Sequence, residues 1–411
     1  MGALTVAGHQ PAGQPVPADG GLPAVTAARI GAAPFGIYVH VPFCRTRCGY
    51  CDFNTYTAAE LGSGASRESY PALAIEEIRL AARVLGGRAG PVRTVFFGGG
   101  TPTLLPPGEL AAILRAVDGE LGLAPGAEVT AEANPETVDQ QSLAELRAGG
   151  VTRLSVGMQS AVPHVLALLD RVHEPGRPER CVSWARAAGF SRVSLDLIYG
   201  TPGEDDADWR ASLDAAIAAG PDHISAYSLI VEDGTRLAAR IRRGELPPPD
   251  DDVLADRYLI ADELLSAAGL AWYEISNWAA GPDSRCLHNE LYWTGGDWWG
   301  VGPGAHSHVE GTRWWNVRHP AAYAERITAG VSPGQAREVL SAAEQATERI
   351  MLATRLAAGC PLSALTPAGQ DAARQAVCDG LASAAGLAAG YLRLTTRGRL
   401  LADTVIRAVT G

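Results

Sequence analysis

Between positions 35 and 229 the chain alternates short apolar runs with longer amphipathic ones. Phe35–Val41 is apolar and β-branched and runs into Pro42, the pattern of a buried strand. Residues 66–85 place Ile75, Ile78 and Ala82 on one helical face and stop at Gly86-Gly87. The pairing then repeats. Further strands are expected at 92–97, 127–135, 152–160, from 191 and at 223–229, with helices at 106–121, 138–148, 161–169, 176–188 and 204–219. Strands that alternate with helices form a parallel sheet, because a parallel pair needs a crossover connection. Six such units fall short of the eight of a closed barrel. The predicted fold is therefore α/β: a partial (β/α)6 TIM-like barrel over 34–244, open on one side.

The flanks read differently. Residues 1–33 are rich in Ala, Pro and Gly without a periodic apolar face, and are expected to be a disordered leader or extended arm. Three prolines in 245–252 mark a boundary, and the Asp ending that run can cap a helix over 253–268. Residues 245–320 are expected to cover the barrel opening. The segment from Trp272 to Trp315 holds seven of the nine tryptophans, interleaved with His and Gly. That composition fits plain core, and it also suits a flat, apolar, metal-bearing ligand such as a tetrapyrrole. Residues 321–411 read as a small helical or winged-helix-like domain with a short hairpin near Tyr391.

Chemistry concentrates directly after the first strand. Cys44, Cys48 and Cys51 occupy eight residues at spacings of four and three. A disulfide would strand one of them. A structural zinc site needs a fourth ligand, for which His40 is the nearby candidate. A [4Fe–4S] cluster held by three thiolates leaves one iron open to another ligand. Gly98-Gly99-Gly100-Thr101 follows the second strand, where glycines let a ligand approach the backbone. Glu132 ends the third strand, where a carboxylate can accept ribose hydroxyls, and Gln159 ends the fourth. Arg171 offers a guanidinium suited to a carboxylate. Asp196 stands among Val and Leu, so it needs a ligand or a partner such as Arg171. Cys181, Cys286, Cys360 and Cys378 are isolated and default to inert buried thiols.

Composition narrows the setting. The formal net charge of -11 argues against nucleic acid as the main partner. No apolar run reaches the ~18 residues of a spanning helix. Seven cysteines over 411 residues fit reduced thiols in a cytoplasmic protein better than a disulfide framework.

The CxxxCxxC spacing, with Tyr38 upstream and Tyr50 inside, resembles the signature of the radical S-adenosylmethionine (SAM) superfamily. Phe97-Gly-Gly-Gly-Thr-Pro-Thr, Glu132-Ala-Asn-Pro, Gly157-Met-Gln-Ser, Asp170-Arg-Val-His, Ser194-Leu-Asp-Leu-Ile-Tyr-Gly, Tyr273-Glu-Ile-Ser-Asn and His288-Asn-Glu-Leu-Tyr-Trp extend the match to about Ser307. Together they resemble the subfamily of oxygen-independent coproporphyrinogen III oxidase and the HemW heme chaperones. The resemblance implies that Cys44, Cys48 and Cys51 hold a [4Fe–4S] cluster, and that Tyr38, Gly99 and Glu132 contact SAM. Gly100, Thr101, Gln159, Arg171 and Asp196 match positions that hold a second SAM in the oxidase. The oxidases carry one more cysteine, two positions after the third ligand, where this chain has Phe53. The box at His288 is associated in the chaperones with heme, which implies His288 as a candidate axial ligand; the alternative is a hydrogen-bonded structural histidine. The implied function is a heme chaperone that passes heme to an acceptor protein, with an electron donor for the cluster and a possible homodimer. A SAM-dependent oxidase, or a protein with a structural iron–sulfur or zinc site, are the competing readings.

Overall fold

The computed structural model describes residues 13–61, 65–171 and 173–411. Residues 1–12 of the expected leader and Val172 of the Asp-Arg-Val-His run lie outside the described residues.

Thirteen strands form one sheet. In chain order they are β1 (Gln14–Pro15), β2 (Phe35–Val41), β3 (Val92–Gly99), β4 (Leu123–Ala133), β5 (Arg153–Gln159), β6 (Arg192–Tyr199), β7 (His223–Ser228), β8 (Ala271–Glu274), β9 (Asn277–Ala279), β10 (Asp297–Val301), β11 (His306–Val309), β12 (Thr312–Asn316) and β13 (Gly334–Val339). Their order is β1-β13-β12-β11-β10-β2-β3-β4-β5-β6-β7-β9-β8. The six expected strands are β2 to β7, and each pairs in parallel with the next. A seventh parallel strand, β10, lies against β2 and comes from the aromatic-rich segment.

That segment does not simply cover an opening. It extends the sheet at both edges, with the antiparallel β8–β9 pair beside β7 and β10, β11 and β12 beyond β2. The expected leader is also ordered in its described part. β1 pairs with β13, Thr26 is buried with its hydroxyl 2.6 Å from that of Thr312, and Arg29 pairs with Glu310 at 2.9 Å. Backbone pairing and single buried side chains leave no apolar periodicity, so composition alone reads this arm as disordered.

The expected boundary at 320/321 shifts in the same way. The helix Pro320–Thr328 packs on the helix Tyr70–Leu85, and β13 belongs to the main sheet. A separate small core forms only beyond Ser341, from Ile350, Leu365, Ala373, Leu392, Val405 and their neighbours. There Tyr391–Leu392 pairs with Cys360–Pro361 rather than closing a hairpin on itself.

The helix Tyr70–Leu85 shows how a polar residue misplaces a face. Its buried stripe is Ala74, Glu77, Ile78, Ala81 and Leu85, with Ile75 and Ala82 only half-buried. The Glu77 carboxylate accepts from Gly302 N (2.7 Å), Asn316 Nδ2 (2.7 Å) and Tyr323 Oη (2.6 Å), which ties the barrel to its extension. Burial pushes its pKa up to about 7, against the pull of these donors. The folded chain therefore holds the proton more tightly than the unfolded one. This stability is present below pH ~4.5 and is lost as pH rises to ~7, by roughly 3 kcal/mol at most. Glu77→Gln should flatten that part of the stability–pH curve in urea titrations between pH 5 and 8. An unchanged slope would remove Glu77 as its source.

Candidate cluster and cofactor site

Register builds the barrel interior in layers, since alternate residues of a strand share a face. Gly36, Thr94 and Glu128 are paired in one layer, and Tyr38, Phe96 and Thr130 in the next, with Arg153 opposite Thr130. Two positions further along their strands, at the carboxyl ends, come His40, Gly98 and Glu132, with Ser155 opposite Glu132. The cysteine loop leaves β2 at this end, where parallel α/β barrels place their reactive groups.

The loop is pinned from several sides. Cys44 N donates to Tyr56 O at 3.0 Å, and Gly49 N to Leu169 O at 3.1 Å. Asn54 Nδ2 donates to Pro303 O (3.0 Å) in the β10–β11 turn and to Arg318 O (2.8 Å) just after β12, so the loop's return leg rests on both. All three thiols are free and half-buried. Thr101 Oγ1 lies 4.0 Å from Cys44 Sγ, and an Arg171 amino group 3.9 Å from Cys48 Sγ.

The glycine run lies against this loop. Gly100 N donates to Val41 O (2.8 Å), Thr101 N to Phe43 O (2.7 Å), and Gly99 N to Glu132 Oε2 (3.1 Å). A Cβ on Gly99 would stand 2.5 Å from the His40 ring at φ +105°, and one on Gly100 would stand 2.5 Å from Phe43 O. Only glycine fits either place. Glu132 is half-buried, and desolvation with the added charge of Asp196 pushes its pKa up to about 7.

Asp196 does not pair with Arg171. Its carboxylate accepts from Ser155 (2.8 Å), Ser225 (2.8 Å) and Ser194 (3.3 Å), hydroxyls on β5, β7 and its own β6. Burial raises its pKa in spite of these donors. Arg171 instead donates to Gly157 O at 2.9 Å and, among the described residues, forms no ion pair. Gln159, at φ +60°, and Arg171 both crowd Gly157, whose Cβ would lie 2.8 Å from Gln159 Nε2 and 2.9 Å from an Arg171 amino group. Arg171 Nε and Gln159 Oε1 are buried without a partner. Tyr38 Oη meets His40 Nδ1 at 3.0 Å, and His40 Nε2 meets Asn54 O at 2.9 Å.

Gly99, Gly100, Thr101, Glu132, Gln159, Arg171 and the three cysteines are thus joined at one end of the barrel, with Tyr38 one layer below and Asp196 near enough to raise the Glu132 pKa. His288 is not among them. It is 1% exposed, and its Nδ1 lies 2.8 Å from Thr94 Oγ1 and its Nε2 2.8 Å from Tyr292 Oη. Burial pushes its pKa down to about 3, so the ring is neutral.

The residues present fit a cluster and a charged cofactor. Three half-buried thiols suit a cubane with one open iron. Beside them lie a glycine cradle and two unsatisfied buried polar atoms, of the kind a bound polar ligand completes. Zinc fits poorly. The nearby fourth ligand that a tetrahedral site would need, His40, is engaged at both ring nitrogens.

Comparison with known proteins agrees. Residues 38–216 match the Radical SAM superfamily. The heme chaperone HemW of Mycobacterium tuberculosis H37Rv is 53% identical over 378 residues, covering 92% of this chain and 95% of that protein. This chain belongs to the radical SAM HemW family. Escherichia coli HemW is 36% identical over 297 residues, or 71% of this chain and 75% of that one. The fold is also that of E. coli coproporphyrinogen III oxidase (HemN), a radical SAM enzyme, with a TM-score of 0.79 at 21% identity over 94% of this chain and 92% of that one.

Within this HemW-family barrel, several site residues have weak sequence signals. Ser155, Ser194 and Ser225 are small polar residues inside apolar strands, and each becomes informative only once Asp196 has a position. Arg153 is buried with Glu128 and Asp196 among its charged neighbours. Its position at the start of a strand reads as a solvated end. Of the isolated cysteines, Cys181, Cys286 and Cys360 are buried as expected, but Cys378 is exposed at the end of the helix Pro367–Cys378.

Proposed function

We propose that this protein is a heme chaperone that holds a [4Fe–4S] cluster, binds SAM beside it, and passes heme as cargo to an acceptor protein. The observation that carries this reading is the 53% identity over 95% of a protein named heme chaperone HemW. The site supports it residue by residue. Cys44, Cys48 and Cys51 ligate the cluster and leave one iron for SAM. The Gly99 backbone receives the SAM amino group, Arg171 its carboxylate and Glu132 its ribose hydroxyls, with Tyr38 below. Gly100, Thr101, Gln159 and Asp196 line the same mouth. When bound, the cluster supplies single electrons, delivered by a separate donor protein. The chain's own residues orient SAM and exclude water from it.

Phe53 stands where the oxidases carry a further cysteine, and it is 50% exposed. Its phenyl group supplies no sulfur. Among the described residues no helix is long and apolar enough to cross a membrane. We place the protein in the cytoplasm, without a nucleic-acid partner, and with a homodimer as one possible assembly. Anaerobically reconstituted protein should bind hemin with a shifted Soret band. It should form no protoporphyrinogen from coproporphyrinogen, SAM and reductant. Turnover to that product would replace the chaperone reading with the oxidase.

A further inference from the structure

We infer that His288 is a positioning residue of the cofactor site and not a ligand of heme. The inference rests on reading the barrel mouth as the SAM site.

The short helix Leu287–Trp293 plugs the amino-terminal end of the barrel. Glu128 accepts from Leu287 N (3.1 Å) and His288 N (3.1 Å), which fixes where this helix begins. Gly36 makes room for it. A Cβ there would lie 2.9 Å from Leu291 Cδ2 and 2.5 Å from Thr94 Oγ1. His288 is then held at both ring nitrogens, by Thr94 and Tyr292. An axial ligand must present one nitrogen lone pair to a metal. Both nitrogens here are spent on hydrogen bonds, and the ring itself is buried.

The ring does have a task. It stacks on Phe96 (5.2 Å between centroids, 26° between planes) and on Tyr38 (6.4 Å, 30°), and these two stack on each other (6.3 Å, 30°). Phe96 supports Gly98, whose Cβ would lie 2.9 Å from Phe96 Cε1 and 3.1 Å from Glu132 Oε2. Tyr38 bonds His40, whose ring lies under Gly99 and whose other nitrogen holds Asn54 of the cysteine loop. A continuous column of packed rings therefore runs from His288 to the glycine cradle and the cluster loop. Loss of the bottom ring lets Phe96 and Tyr38 settle, and Gly98-Gly99 with them.

The test uses the full chain, reconstituted anaerobically, as wild type, His288→Ala, His288→Gln and Tyr292→Phe. Two titrations are run: hemin by Soret absorbance, and SAM by its effect on the EPR spectrum of the reduced cluster. Hemin affinity and Soret position should be unchanged in all three variants. The SAM concentration for half the EPR change should rise about tenfold in His288→Ala, the lower end of what losing a supporting residue costs. His288→Gln should recover part of it, since an amide can donate to one neighbour and accept from the other. Tyr292→Phe breaks only one of the two bonds and keeps the fold, so it should shift SAM mildly. Loss of the Soret shift in the His288 variants with the SAM response intact would overturn the inference. If wild type binds no hemin, the chaperone reading fails while the SAM shift still judges His288. If wild type shows no SAM response, the inference falls with the reading of the mouth.

Discussion

Cys51→Ala will strip the protein of iron: the variant should carry almost none where the reconstituted wild type carries about four per chain. Two thiols cannot hold a cubane that three hold with one corner open, and no neighbour can substitute. His40 is engaged at both nitrogens, and Asp52 is exposed on the loop. The chain should keep its fold. Cys51 is half-buried on a loop, and Cys44 N and Gly49 N make their backbone bonds independently of its sulfur. Iron and sulfide analysis beside far-UV circular dichroism checks both halves. Cys181→Ala is the control. Its sulfur lies 3.7 Å from Pro135 O in the core and should be irrelevant to iron. A Cys51→Ala protein with full iron would dismiss the assigned ligand set.

The largest effect on stability is expected at Arg257→Met. Arg257 is 5% exposed, and its guanidinium donates to Glu204 Oε2 at 2.8 Å and to Glu204 O. Glu204 also receives Gly200 N at 2.7 Å, and so closes the turn that follows β6 beside the site. Removing the cation strands a buried carboxylate, which costs ~3–5 kcal/mol. Glu204→Leu with Arg257→Met should recover most of it, because no buried charge is then left unpaired; Asp206, the other partner of Arg257, is exposed. Burial pushes the Glu204 pKa up to about 7. The single variant should therefore lose less at pH 6, where the carboxyl can take a proton, than at pH 8. Urea unfolding of wild type, single and double variants at both pH values measures this. A loss below ~1 kcal/mol at pH 8 would show that solvent reaches the pair.

The βα alternation was legible because each strand is apolar on both faces or ends at a turn residue, and each helix repeats at its own period. Misreadings fell where a contact runs through backbone or through a polar side chain. β1 docks by ladder bonds, which leave no trace in side-chain pattern. Glu77 counts as a surface residue by type, yet it anchors the extension. β10 looks like one more piece of an aromatic cluster, and only its parallel register with β2 makes it the seventh barrel strand.

The site divides along the same line. Spacing alone brings Cys44, Cys48 and Cys51 together, because eight residues of loop cannot carry them far apart, and a strand's end fixes where Gly99, Glu132 and Gln159 must lie. The chain order of residues determined that much. Whether Asp196 meets an arginine or the serines of its two flanking strands, 41 and 29 positions away, and whether His288 faces a ligand or bonds Thr94, 194 positions away, depends on distant neighbours. Those pairings arise only when the sheet sets its register, since a polar group's role in a low-dielectric interior is decided by what satisfies it.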